Sequence, residues 1–138
     1  MTIGLWPTRS ATAPQIGVGK RVVVVRDPRA PAGLQRLDLV NPEVVSTFGP
    51  DTPFTEGCLS FPGLYTTVVR PKGIVLKYDT ADGRRTMRDE ELVARIVQHE
   101  VDHLDGVLFI DHLSKLKRDM VIRKFAKQAK VAGKTAAL

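Results

Sequence analysis

Cysteine occurs once in this 138-residue chain, at Cys58, so no internal disulfide can form and the fold needs no oxidising compartment. No apolar run approaches the ~18 residues of a membrane span. Met1-Thr2-Ile3-Gly4-Leu5-Trp6-Pro7 has neither the basic start nor the apolar core of a signal peptide. Internal repeats, low-complexity tracts and linker-like stretches are also missing. Together these absences predict a cytoplasmic protein with no membrane partner. Acidic residues become scarce toward the end: from Ser114 onward Asp119 alone faces eight Lys and Arg (Lys115, Lys117, Arg118, Arg123, Lys124, Lys127, Lys130, Lys134). That segment carries +7 against a net +6 for the chain, and the remaining thirteen basic and fourteen acidic residues leave −1 on the rest. The basic character belongs to the tail.

What is present is ordinary for a soluble domain: 43% hydrophobic and 26% charged residues, in a length suited to one domain over 1–138 with a single core, expected as a monomer. Residues 1–14 read as an irregular entry, with Pro7 and Pro14 against regular structure. Lys20 to Arg26, with four consecutive valines, predicts a strand buried on both faces. Asp27 to Gly33 reads as a Pro-rich loop, and Leu37 to Val40 as a short strand stopping at Asn41-Pro42. Phe48 to Pro53 reads as a loop. Thr66 to Arg70 and Gly73 to Asp79 read as strands separated by Pro71, and Ala81-Asp82-Gly83 as the turn into a pairing strand, Arg84 to Arg88. A helix follows, then a short apolar segment, Val107 to Ile110. A final basic helix is expected over 113–138, with Leu116, Met120, Ile122, Phe125, Ala126 and Ala129 available for packing. Strands first and helices later predict an α+β domain, mostly antiparallel sheet around a central helix.

The central helix carries Gln98-His99-Glu100-Val101-Asp102-His103. Histidines four apart project from one helix face, so both imidazoles can reach one metal ion, and Glu100 can reach a water beside it. Asp89 is the expected cap, Glu90 and Glu91 suit the positive N-terminal end, and Asp105-Gly106 closes the helix. Leu92, Ile96, His99 and His103 fall on one stripe, which puts the histidines on the buried face. His-Glu-x-x-His also arises by chance in charged amphipathic helices, so a third ligand decides the matter. Cys58 lies in a Gly-flanked turn between predicted strands. A thiolate with two imidazoles makes a three-ligand tetrahedral set with its fourth position open, although most free cysteines are small buried hydrophobes.

Glu56-Gly57-Cys58-Leu59-Ser60 and Gln98 to Gly106 closely resemble two of the three signature motifs of the peptide deformylases. The third, of the form Gly-x-Gly-Leu-Ala-x-x-Gln, survives at its end as Ala13-Pro14-Gln15, followed by Ile16-Gly17-Val18. The resemblance runs from about Ala11 to Lys130. It implies Cys58, His99 and His103 as metal ligands and Glu100 as general acid/base. It implies the Leu59 backbone N–H and the Gln15 side-chain amide as donors to the oxyanion, each worth roughly 3 kcal/mol. Glu56 and Arg70 match a pair that braces the metal loop. The activity implied is removal of the N-formyl group from the N-terminal methionine of newly synthesised proteins, with Fe²⁺ as metal and Zn²⁺ or another divalent ion as substitute. The resemblance also implies that the basic C-terminal helix docks on the ribosome.

The sequence departs from that pattern at its start. Thr8, Ser10 and Ala11 stand where the motif has two glycines and a leucine, and Arg9 stands where an apolar residue would line the substrate pocket. The helix-bearing segment upstream is missing, so the expectation is a short form with a truncated N-terminus and a degraded first motif. Two rival readings follow. One is a catalytically weak relative that binds formylated peptide or the ribosome without turnover. The other is a zincin-like protease, against which Cys58 and the lack of a matching downstream ligand both speak.

Overall fold

The computed structural model describes residues 10–12, 21–27, 30–33, 36–58 and 61–136. Five strands, β1 (Ser10–Thr12), β2 (Val22–Arg26), β3 (Arg36–Cys58), β4 (Phe61–Thr80) and β5 (Gly83–Glu90), pair in sequence order in one sheet. Every pairing is antiparallel. Helix α1 (Glu91–Leu104), a 3₁₀ turn (Phe109–His112) and helix α2 (Lys115–Ala136) follow. The α+β expectation holds. The irregular entry is corrected at Ser10–Thr12, which adds a short strand to β2, whereas Thr8 and Arg9 lie outside the described residues.

The long strands differ from the expected short ones for a common reason. Asn41-Pro42 does not end a strand: the pairing of β3 with β4 shifts between Val40 and Glu43, and Asn41 takes a left-handed φ of 48°. Its side-chain amide donates to Asp79 Oδ2 at 2.8 Å. The Phe48–Pro53 segment is likewise a strand with a shift between Phe48 and Asp51, where Gly49 sits at φ 76°. Pro71 pairs with Asp51 just past that shift, so a residue without an N–H falls where the ladder is already irregular. Breaker residues here mark bulges, and the strand continues through them. The turn is as expected: Thr80 pairs with Gly83 across Ala81-Asp82, and Gly83 takes φ 119°.

The valine strand is buried on one face only. Val23 and Val25 are buried, while Val22 and Val24 are partly covered. The expected single core is divided in two. Val23, Val25, Leu39, Ile74 and Leu76 of the sheet meet Val93, Ala94, Ile96, Val97 and Val101 of α1. A second cluster joins Leu64 and Val68 to Phe109 and Ile110, with Cys58, Phe61, Val121 and Phe125 packed against it.

Helix α1 is buried continuously from Val93 to Val101, enclosed by sheet. Asp89 does not cap it. Its Oδ1 accepts the Glu90 N–H at 2.6 Å, Glu90 occupies the cap position without a side-chain bond, and Glu91 enters the helix at φ 62°. The C-terminal end is as expected, with the Asp105 N–H on the Val101 and Asp102 carbonyls and Gly106 at φ 76°. The expected apolar segment closes into the 3₁₀ turn, and α2 begins at Lys115 where Leu113 was expected. Leu116 (74% exposed), Met120 (62%), Ile122, Ala126 and Ala129 do not pack. Val121 and Phe125 do, with Phe125 edge-on to Phe61 at 5.4 Å.

Candidate metal centre

Strand β3 delivers Cys58 at its last residue, and α1 delivers His99 and His103 one turn apart. Their sulfur and nitrogen atoms all lie within 4.8 Å of one another. Cys58 Sγ is 3.0 Å from His103 Nε2, which is 3.2 Å from His99 Nε2. Tetrahedral ligation with bonds of about 2.0–2.3 Å separates donor atoms by roughly 3.3–3.6 Å, so this set fits a small divalent ion with shifts of tenths of an ångström. Glu100, adjacent on the helix and 2% exposed, is buried with it.

Glu56 organises the support behind these groups. It is fully buried, and Arg70 grips it bidentately, Nε to Oε2 at 2.7 Å and Nη2 to Oε1 at 3.0 Å. Arg95 Nη1 donates to Oε2 at 2.8 Å, and His99 Nδ1 lies 2.9 Å from Oε1. Burial alone would raise the Glu56 pKa, but the hydrogen bonds from His99 and Arg70 and their charges outweigh it and hold the value at about 2. An ionised carboxylate can only accept, so His99 Nδ1 carries the proton of that bond and Nε2 is turned toward Cys58 and His103. Burial pulls the His99 pKa down, yet hydrogen bonds with Cys58 and Glu56 and the charges of Glu100 and Glu56 push it up to about 9. The pocket favours a positive charge at Nε2, which a proton or a metal ion can provide.

Arg70 also donates through Nη1 to Asp102 Oδ2 at 2.7 Å, and His112 Nε2 lies 2.8 Å from the same oxygen. The chain of contacts runs His112, Asp102, Arg70, Glu56, His99. Its outer end borders a cavity of about 440 Å³ lined by Arg21, Gln98, Val101, Asp102 and His112 among others, and containing none of Cys58, His99 or His103.

The structure therefore brings together Cys58, His99, Glu100, His103, Glu56 and Arg70. Gln15 and Leu59 lie outside the described residues. Arg95, Asp102 and His112 were not singled out from sequence. Arg95 did leave a signal: a cation one turn before His99, on the stripe that the apolar residues of α1 occupy.

A profile of the family described as polypeptide deformylase matches residues 8–119. The chain is 45% identical over 128 residues to a peptide deformylase of Rhizobium meliloti (strain 1021), covering 92% of this chain and 74% of that protein. It is 46% identical over 127 residues to one of Phenylobacterium zucineum (strain HLK1), covering 91% and 75%. Among solved structures it is similar to a plant peptide deformylase, with TM-score 0.78 and 34% identity over 94% of this chain and 71% of that one. It is also similar to a Legionella pneumophila peptide deformylase, with TM-score 0.76 and 40% identity over 91% and 73%. Fold and sequence agree over nearly the whole chain: it belongs to the polypeptide deformylase family and is, with that family, a hydrolase.

Proposed function

We propose that this chain hydrolyses the N-formyl group from the N-terminal methionine of newly made proteins, releasing formate and a free amine, with a divalent metal held by Cys58, His99 and His103. The observation that carries this reading is the convergence of one thiol and two imidazole nitrogens within 4.8 Å beside the buried Glu100. A divalent ion, when bound, supplies Lewis acidity that acidifies water and polarises the formyl oxygen; Fe²⁺ is the expected occupant, and Zn²⁺ suits the same donors. Glu100 takes the proton of the attacking water and returns it to the departing amine nitrogen. The Gln15 amide and the Leu59 N–H donate to the carbonyl oxygen as it gains charge. Glu56 and Arg70 keep His99 turned and in the tautomer that offers Nε2.

Turnover of formyl-Met peptides by anaerobically purified, iron-loaded protein tests the reading. Glu100→Gln keeps the side-chain shape and loses proton transfer, so it should retain metal and lose nearly all turnover. Activity within about tenfold of the parent would assign the proton transfer to another group. A parent with no turnover would leave only a formyl-peptide binder.

The second part of the proposal concerns the tail. On α2, Lys115, Lys117, Arg118, Arg123, Lys124, Lys127 and Lys130 are all exposed, which suits attraction to ribosomal RNA phosphate. Co-sedimentation with ribosomes should fall steeply between low and high salt. It should also fall in a Lys124→Glu/Lys127→Glu/Lys130→Glu variant, which leaves Val121 and Phe125 packed. Equal pelleting of that variant would reduce the tail to a solvated face.

A further inference from the structure

Arg95 is 5% exposed, and its guanidinium reaches three places at once. Nη1 donates to Glu56 Oε2 at 2.8 Å and to the Val68 carbonyl at 3.1 Å. Nη2 donates to the Thr52 carbonyl and lies 3.2 Å from Thr52 Oγ1. The Phe54 ring stands beside it, 5.4 Å from centroid to guanidinium carbon. One side chain of α1 thus holds β3 at Thr52 and Glu56 and holds β4 at Val68. Glu56 lies two residues before Cys58 and shares its other oxygen with His99, one helical turn beyond Arg95.

We infer that Arg95 is a positioning residue for the metal centre, setting the spacing between the strand that presents Cys58 and the helix that presents His99 and His103. The inference rests on the ligand assignment proposed above. Two arguments separate it from a purely structural role. Arg70 already binds Glu56 bidentately and lies beside it as a neutralising charge, so compensation of that carboxylate does not require a second guanidinium. A buried cation also costs desolvation that an apolar side chain of similar volume would avoid. What an apolar residue cannot reproduce is the simultaneous tie to two strands beside the ligands.

The test uses the metal-free protein with its whole chain, Co²⁺ as probe, and the variants Arg95→Met and Arg95→Lys, with Cys58→Ala in parallel. Arg95→Met is expected to bind Co²⁺ roughly 10–100-fold more weakly than the parent, the range for removing a group that orients a ligand. At saturating Co²⁺ its thiolate-to-cobalt absorption should be reduced, because Cys58 no longer stands at its distance from the histidines. Arg95→Lys, which keeps the charge but not the fork, should fall between. If Arg95→Met does not fold, Arg95→Lys carries the measurement. A folded Arg95 variant with parental Co²⁺ affinity and an unaltered saturated spectrum overturns the inference. Parental affinity in Cys58→Ala removes the ligand assignment itself, and the inference with it; Cys58 dependence without Arg95 dependence removes the Arg95 role alone.

Discussion

Glu56 is a carboxylate with no contact with water that three cationic or proton-bearing partners keep ionised. Its pKa, lowered from 4.5 to about 2, ties its ionisation to folding. A depressed value means that the contribution is complete above pH 4.5 and is lost as pH falls toward 2. The shift corresponds to of order 3 kcal/mol. Urea unfolding of metal-free protein between about pH 6 and pH 2.5 should show that loss. Glu56→Gln should be less stable than the parent near neutral pH and flatter across the acid range. Parallel curves for the two proteins would show that Glu56 is not the titrating group. A neighbouring contact constrains the same loop: a Cβ at Gly57 would stand 2.6 Å from the Tyr65 ring, so glycine is what lets that ring cover the backbone next to Cys58.

At the scale of elements, α2 is attached by few side chains. Val121 and Phe125 pack against the second cluster, whereas Leu116 and Met120 face solvent. Phe125→Ala should cost about 2 kcal/mol, and Leu116→Gln should change stability by less than about 0.5 kcal/mol in thermal or urea unfolding. A large loss from Leu116→Gln would mean that this face is covered in solution. The periodicity that made α2 legible as a helix did not reveal which stripe faces the sheet, because apolar residues occur around most of its circumference. Strand ends were misread for a related reason. Asn41-Pro42, Gly49-Pro50 and Pro71 are local signals of interruption, but ladder register is decided by the partner strand, and the pairing of β3 with β4 absorbs these residues in register shifts that each place one extra residue on β3. The helix α1 was legible because its two histidines, its apolar stripe and its closing Asp105-Gly106 agree with one another.

At the scale of the whole molecule, the helical spacing of His99 and His103 around Glu100 was legible as a candidate metal-binding pattern, whereas Cys58, which alone reads equally as a small buried hydrophobe, was drawn in by family resemblance before the structure placed it beside them. The Glu56–Arg70 pair came from family resemblance. The residues that complete the support were not legible, since Arg95 meets Glu56 across 39 residues and Asp102 meets Arg70 across 32, with no local pattern linking them. The two apolar clusters meet at the centre itself: Cys58 packs with one, α1 fills the other, and the His99 and Phe109 rings face each other at 5.7 Å. A cation joining Cys58 to the two histidines therefore ties together parts of the chain that are otherwise held by separate contacts. In amide hydrogen exchange this makes a specific pattern. Helix α1, enclosed by sheet, should exchange slowly with or without metal. The end of β3 and the Phe109–His112 turn should open more readily in metal-free protein and slow on adding Zn²⁺, a response that Cys58→Ala should abolish. The ion would then set the opening free energy of one half of the protein while leaving the other as it was, making metal supply a control on local unfolding and so on proteolytic lifetime.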